Sequence, residues 1–338
     1  MSSLDTRLQQ LWYGGGRPFW LLPLSWLFGL IAGLRRWLFR IGVLPSVKLS
    51  RPVIVVGNVT VGGTGKTPLV IWLANALQAQ GRKVGVITRG YGGKAPHWPQ
   101  AVQPDSDPVL VGDESVLIAQ QTQALVYAGP DRVAAAQQAI VAGAELVISD
   151  DGLQHYRLQR DVELAVVDAS RLFGNGLLLP AGPLREPPQR LREVDMVLLN
   201  QRSAGSKTPE LSVPSISYRV GLGQMRALVS NEIRDLSSLK GLQVHVVTGI
   251  GNPQAFIQAL LDLGLRVDAR VLPDHAQFVR DDIEFDDSLP VLMTEKDAVK
   301  CRRFAGAQHW AVAAEVLLDS VDEARLLHCL QQRLARHH

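Results

Sequence analysis

The run Gly62-Gly63-Thr64-Gly65-Lys66-Thr67 places small residues, a lysine and a hydroxyl side by side. Such residues let successive backbone N–H groups turn toward one anion, and a helix beginning at the end of the run adds positive potential there. Lys66 can reach the outer phosphates of a nucleoside triphosphate, and the Thr67 hydroxyl is placed to ligate Mg2+. The strict phosphate-loop pattern wants a glycine where this chain has Thr60, so the match is a variant. Context favours it over a chance glycine turn. Val53-Ile54-Val55-Val56-Gly57 reads as a buried strand before the loop, and Leu69, Leu73, Ala76 and Leu77 recur at helical spacing after it.

Acidic groups stand where a metal or an acceptor would need them. Asp150 and Asp151 end the apolar run Leu146-Val147-Ile148-Ser149, the position of a carboxylate that orients Mg2+ or its waters; capping of the next turn is the alternative. Asp113, followed by Glu114, precedes the apolar helix Val116-Leu117-Ile118-Ala119, where an N-cap is the plainer reading. A transfer enzyme also needs a group to orient or deprotonate its acceptor. Spacing does not choose among Asp113, Asp150, Asp151, His155 and His275. A guanine-specific switch should carry Asn-Lys-x-Asp. The nearest string, Thr294-Glu295-Lys296-Asp297, does not meet that pattern, which argues against such a switch.

The elements that must position these residues follow one rhythm. Strands are expected at 53–57, 84–88, 124–127, 146–149, 164–168 and 196–200, with helices after Pro68 and from Arg132 to Ala142. Short apolar strands separated by helices indicate an α/β fold of the phosphate-loop NTPase type, a mostly parallel sheet with helices on both faces. Ligands gather at the carboxyl ends of such strands, where the glycine-rich and polar residues lie. Residues 201–210 are polar, with Gly205 and Pro209, and suggest a border. The expected division is a helical segment at 1–46, a nucleotide-binding core at 47–215 and a smaller C-terminal α/β lobe at 216–338. That lobe has strands near 244–251, 266–271, 290–294 and 309–313 and ends in a closing helix from Asp322 to Arg336.

Composition narrows the class. The chain has 338 residues and a formal charge of only +3, with no basic stripe to suggest nucleic acid. Cys301 and Cys329 are far apart, so neither a disulfide framework nor a cysteine zinc site is expected. Phe19 to Leu34 carries no charge and is followed by Arg35, Arg36 and Arg40. A helix of about 16 residues spans about 24 Å, short of a hydrocarbon core of about 30 Å. With Trp20, Trp26 and Trp37 it suits a helix in or near an anionic membrane interface, and a helix packed on the domain is the alternative.

Seven motifs in order resemble the tetraacyldisaccharide 4'-kinase family of the lipid A pathway. They are Val61 to Pro68, Arg89-Gly90-Tyr91-Gly92, Gly112-Asp113-Glu114, Asp150-Asp151-Gly152-Leu153-Gln154-His155, Gly182-Pro183-Leu184-Arg185-Glu186, Pro273-Asp274-His275 and Thr294-Glu295-Lys296-Asp297. The resemblance runs from the N-terminal helix to at least Lys300, and the variant phosphate loop is the family's usual form.

That resemblance implies transfer of the γ-phosphoryl group of ATP, with Mg2+, to the 4'-hydroxyl of an acylated glucosamine disaccharide 1-phosphate at the cytoplasmic face of the bacterial inner membrane. It implies Gly62 to Thr67 as the ATP cradle, Asp113 as base with His275 as its partner from the second lobe, and Lys66, Asp151 and His155 in the active site. Thr67, Asp150, Asp151 and Glu114 are the implied surroundings of Mg2+. No obligate protein partner is expected. On the residues alone, a membrane-associated ATPase without a sugar acceptor and a nucleotide-binding regulator stay open.

Overall fold

The computed structural model describes residue 8 and residues 10–201, 212–274 and 276–335. Residues 10–13 are helical, and helix α1 (Leu22–Arg40) follows, entered through a 3-10 turn at Phe19–Leu21. The first lobe follows as β1 (Val53–Gly57), α2 (Lys66–Ala79), β2 (Val84–Thr88), β3 (Gln100–Val102), α3 (Asp113–Gln121), β4 (Leu125–Ala128), α4 (Arg132–Val141), β5 (Leu146–Asp150), β6 (Val162–Asp168) and β7 (Met196–Asn200). In sheet order these strands run β3-β4-β2-β5-β1-β6-β7, parallel except for β3 at the edge.

Every residue of β1, β2, β5, β6 and β7 is buried, which explains why these strands read as unbroken apolar runs rather than alternating ones. The pleat still sorts them: Ile54 and Val56 face α2 and α3, while Val53 and Val55 face the side of α4 and the chain from Leu153 to Val194. All parallel strands deliver their carboxyl ends to one edge. The phosphate loop leaves β1 there, and Asp150 ends β5 beside it, with its Cα paired in register to Val56.

β8 (Ser215–Ala227) extends both halves of the sheet. Its first residues pair parallel with β7, and Arg219 to Ala227 pair antiparallel with β13 (His309–Leu317), while the short β9 (Ile233–Arg234) lies along its end. The second lobe continues through β10 (Gln243–Thr248), α5 (Pro253–Asp262), β11 (Arg266–Val271), β12 (Val291–Thr294) and α6 (Glu295–Cys301), with sheet order β8-β13-β12-β10-β11. The expected border at 215/216 therefore falls at the start of a strand shared by both lobes. The final helix, α7 (Ser320–Leu334), returns to the first lobe, where Leu326 and Leu330 join the core containing Leu77. Cys301 is buried and Cys329 half-buried, both as free thiols.

Small residues seat α1 on the loop that precedes β7. The Ser25 hydroxyl donates to Leu178 O and accepts from Ala181 N, both at 2.9 Å, and a Cβ on Gly29 would lie 2.7 Å from the Leu178 side chain. Arg35 donates to Gln154 O, and Arg36 pairs with Glu193. The apolar side stays open: Trp20 is 74% and Trp26 71% exposed, with Leu24, Leu27, Leu30 and Leu34 beside them. By length and composition this helix is able to cross a membrane.

Beneath that loop, Glu163 of β6 accepts from Arg160 at 2.7 Å and from Arg190 at 2.5 Å. Burial alone would depress the Arg190 guanidinium, and the Glu163 carboxylate more than offsets it. Removing the acidic partner leaves the buried Arg190 guanidinium to the longer carboxylate contact with Glu186, at 3.9 Å. Glu163→Gln is expected to lower the melting temperature by about 6 °C, and a drop below about 2 °C would show that this pair is dispensable.

Candidate active site

The phosphate loop is built by constraints from behind. Val61 N donates to Pro183 O and Arg185 N to Val59 O, so the Gly182–Glu186 segment forms the loop's back wall. Asn200, at the end of β7, donates to Thr64 O at 3.0 Å, and the Tyr218 hydroxyl of β8 donates to Gly65 O at 3.2 Å. In a trans peptide the N–H points opposite its carbonyl, so tying these two carbonyls back turns the amides of Gly65 and Lys66 outward. Gly65 has φ +85°, and a Cβ there would sit 2.4 Å from Asn200 Nδ2; no other residue fits without displacing the tether.

The motif residues converge at this edge. Lys66 Nζ lies 3.4 Å from Asp151 Oδ1, and Arg185 donates to Asp151 Oδ2 at 2.9 Å. Burial would raise the Asp151 carboxyl, but Lys66 and Arg185 hold it well below the usual carboxylate range. Asp150 is the opposite case. Burial, and then the charge of Glu114, push it up to about 7 against the pull of Lys66, and its Oδ1 has no hydrogen-bond partner among the described residues. Two adjacent carboxyls thus differ in environment: Asp151 is held in ion pairs, and Asp150 is buried with one oxygen unsatisfied among the described residues.

Asp113 is the first residue of α3, and Gly112 (φ +88°) takes the N-cap position itself. Asp113 Oδ1 accepts from Glu114 N at 2.9 Å. A Cβ on Gly112 would strike Tyr91 O at 2.6 Å, so the Arg89–Gly93 loop packs directly on the Asp113 turn. Lys296 and Lys300 of α6 reach this turn from the second lobe, at 3.0 Å from Glu114 and 3.9 Å from Asp113. Beside Asp113 opens a cavity of about 430 Å3, bounded by Pro104 to Val109 on one side and by Phe278, Lys300 and Arg303 on the other.

His155 lies on the Arg132 side of the motif. Burial, then the charge of Arg132, depress it to about 4, so its imidazole is neutral at pH 7. His275 falls outside the described residues; of its motif, Asp274 faces the Gly249–Gly251 turn, where a Cβ on Gly251 would lie 3.1 Å from Asp274 Oδ2.

Arg132 was not singled out in the sequence. It is 3% exposed and donates to Gly129 O and Asp150 O, both at 3.1 Å. Burial lowers it only to about 10, so a cation stands at the Asp150 end of the sheet, bonded there to carbonyls rather than to a carboxylate. An arginine opening an alanine-rich helix just past the carboxyl end of β4 was the available signal.

The residues suit a nucleotide with Mg2+. Among the described residues no group of three or more histidine, cysteine or acidic side chains forms a ready metal cage. Mg2+ does not ask for one, because it takes one or two protein oxygens beside phosphates and water. Thr67 and the orphaned Asp150 oxygen meet that need, and the outward amides suit the phosphates.

Comparison with known proteins agrees with this geometry. The family model described as "Tetraacyldisaccharide-1-P 4'-kinase" matches residues 17–335. Relatives carrying the name tetraacyldisaccharide 4'-kinase include one from Nitrosococcus oceani, 46% identical over 98% of this chain and 96% of its own length. Another, from Alkalilimnicola ehrlichii, is 47% identical over 94% of this chain and 93% of its own. The crystal structure of LpxK from Aquifex aeolicus in complex with ATP superposes with a TM-score of 0.81 at 29% identity, covering 93% of this chain and 98% of that one. The chain therefore belongs to the tetraacyldisaccharide-1-phosphate 4'-kinase family.

Proposed function

We propose that this chain transfers the γ-phosphoryl group of ATP to the 4'-hydroxyl of a tetraacyldisaccharide 1-phosphate, forming the lipid A precursor. The observation that carries this reading is the placement of Asp113 beside a cavity at the same sheet edge as the phosphate loop. An ATPase or a nucleotide-dependent regulator needs the loop but has no use for an acceptor cleft with its own buried carboxylate.

Each residue has a definite task in that reading. The outward amides and Lys66 bind the outer phosphates, and Asp151 together with Arg185 keeps the lysine aimed. Mg2+, held by Thr67 and Asp150 with Asp151 and Glu114 near it, would supply charge neutralisation on the phosphates. Arg132 adds a fixed cation on the same side. Asp113 accepts or directs the proton of the acceptor hydroxyl, with His275 as its partner, and the neutral His155 can exchange a hydrogen bond without adding charge.

The membrane end of the reading rests on α1. A substrate carrying acyl chains stays in the bilayer, and the exposed tryptophans and leucines let the enzyme meet it there, with Arg35, Arg36 and Arg40 close to anionic headgroups. In this reading the chain works at the inner membrane, with the nucleotide site on the cytoplasmic face.

Three measurements test these assignments. With labelled ATP, transfer should require the tetraacyldisaccharide, and Lys66→Ala or Asp113→Ala should each lower kcat by about 100-fold or more. ADP release independent of the glycolipid would favour the ATPase, and neither activity the regulator. Gly65→Ala should raise the Kd for ATP by about tenfold or more, because the new Cβ displaces the Asn200 tether; unchanged affinity would remove that tether from nucleotide binding. Trp26→Glu with Leu30→Glu should sharply reduce pelleting with anionic vesicles while leaving the melting temperature near the parent's, since both residues are exposed. Full pelleting would show that another surface holds the membrane.

A further inference from the structure

Lys300 stands where the two lobes meet and has no task in the mechanism above. Its helix is fixed from its first turn. Thr294 accepts from Asp297 N and donates to Asp297 Oδ2, and that fully buried carboxylate also accepts from Thr248 Oγ1 and Gly249 N. One turn later, the Lys300 ammonium lies 3.1 Å from Asp297 Oδ1, 4.6 Å from the centre of the Phe278 ring and 3.9 Å from Asp113 Oδ2. The contact with Asp297 is close enough for an ion pair but not angled as a hydrogen bond, so the ammonium is anchored by charge without committing a directed donor.

Docking of α6 on α3 does not need this lysine. Lys296 pairs with Glu114 at 3.0 Å, and Gln121 donates to Glu295 at 2.6 Å, so both ends of the contact are already held. A buried ammonium is a costly way to add a third clamp, since an apolar side chain of similar volume fills such a space at less desolvation cost. What Lys300 adds is specific to Asp113. Glu114 N fixes Oδ1 of that carboxylate, and Lys300 faces Oδ2. The two contacts together restrain its rotation.

We propose that Lys300 is a positioning residue for acceptor phosphorylation. Anchored to Asp297 on the second lobe, it reaches across the lobe boundary and sets the orientation of the Asp113 carboxylate, which is aligned only while α6 is docked on α3. This rests on the reading of Asp113 as the group that directs the acceptor hydroxyl.

A double-mutant cycle in the full-length enzyme separates the two ideas. Asp113→Asn, Lys300→Met and the double variant are assayed for transfer to the tetraacyldisaccharide, with melting temperatures and the KM for ATP. Lys300→Met is expected to lower kcat by about tenfold with KM for ATP within about twofold, and to cost less than about twofold in the Asp113→Asn background. The same loss in both backgrounds, or a kcat for Lys300→Met near the parent's, overturns the positioning role. A kcat for Asp113→Asn within about threefold of the parent overturns the base reading instead, whatever Lys300 does. Should Lys300→Met melt more than about 5 °C below the parent, the cycle is read with Lys300→Gln, against the same two outcomes.

Discussion

A loop that offers its amides to an anion must first dispose of its carbonyls, and the rest of this molecule is arranged around that requirement. Asn200 and Tyr218 take the carbonyls of Thr64 and Gly65, and the Gly182–Glu186 segment pairs with the loop from behind. Each tether comes from a different part of the chain. The cradle is thus a product of the sheet order, in which β7 and β8 lie on the β6 side of β1, and not of the glycines alone. Removing side chains at Gly62 and Gly65 permits the turn; the tethers decide which way it faces.

Charge at the site is distributed by the same geometry. Lys66 and Arg185 share Asp151, leaving Asp150 as a buried carboxyl whose Oδ1 has no hydrogen-bond partner among the described residues, while Arg132 bonds to the backbone carbonyl of that residue. At the Asp113 turn the pattern changes, because both lysines facing Asp113 and Glu114 come from the second lobe. The Asp113 turn therefore draws on both bodies of the fold, and the shared strand β8 is one covalent link between them.

Much of this was legible in the residue order. The strand, loop and helix around Gly62 to Thr67 are local, so periodicity and glycine placement sufficed. Asp150 and Asp151 could be placed at a strand end for the same reason. β8 was not foreseen: Gly221, Gly223, Arg219 and Arg226 interrupt any apolar run, and the strand is held by partners on β7 and β13 that are remote in sequence. Arg132 was passed over because an alanine-rich helix reads as scaffold. The contacts of Lys296 and Lys300 with the Asp113 turn join residues far apart in the chain, which no local pattern reports.

The return of α7 to the first lobe sets an order for assembly during synthesis. α1 precedes both lobes in the chain and its apolar side is exposed among the described residues, whereas Leu77 and its neighbours stay uncovered until Leu326 and Leu330 arrive. The whole second lobe is therefore synthesised while the first still exposes apolar surface. The apolar edge around Leu77 gains its cover only when the final helix is made, so it is the surface of the first lobe that synthesis leaves open longest.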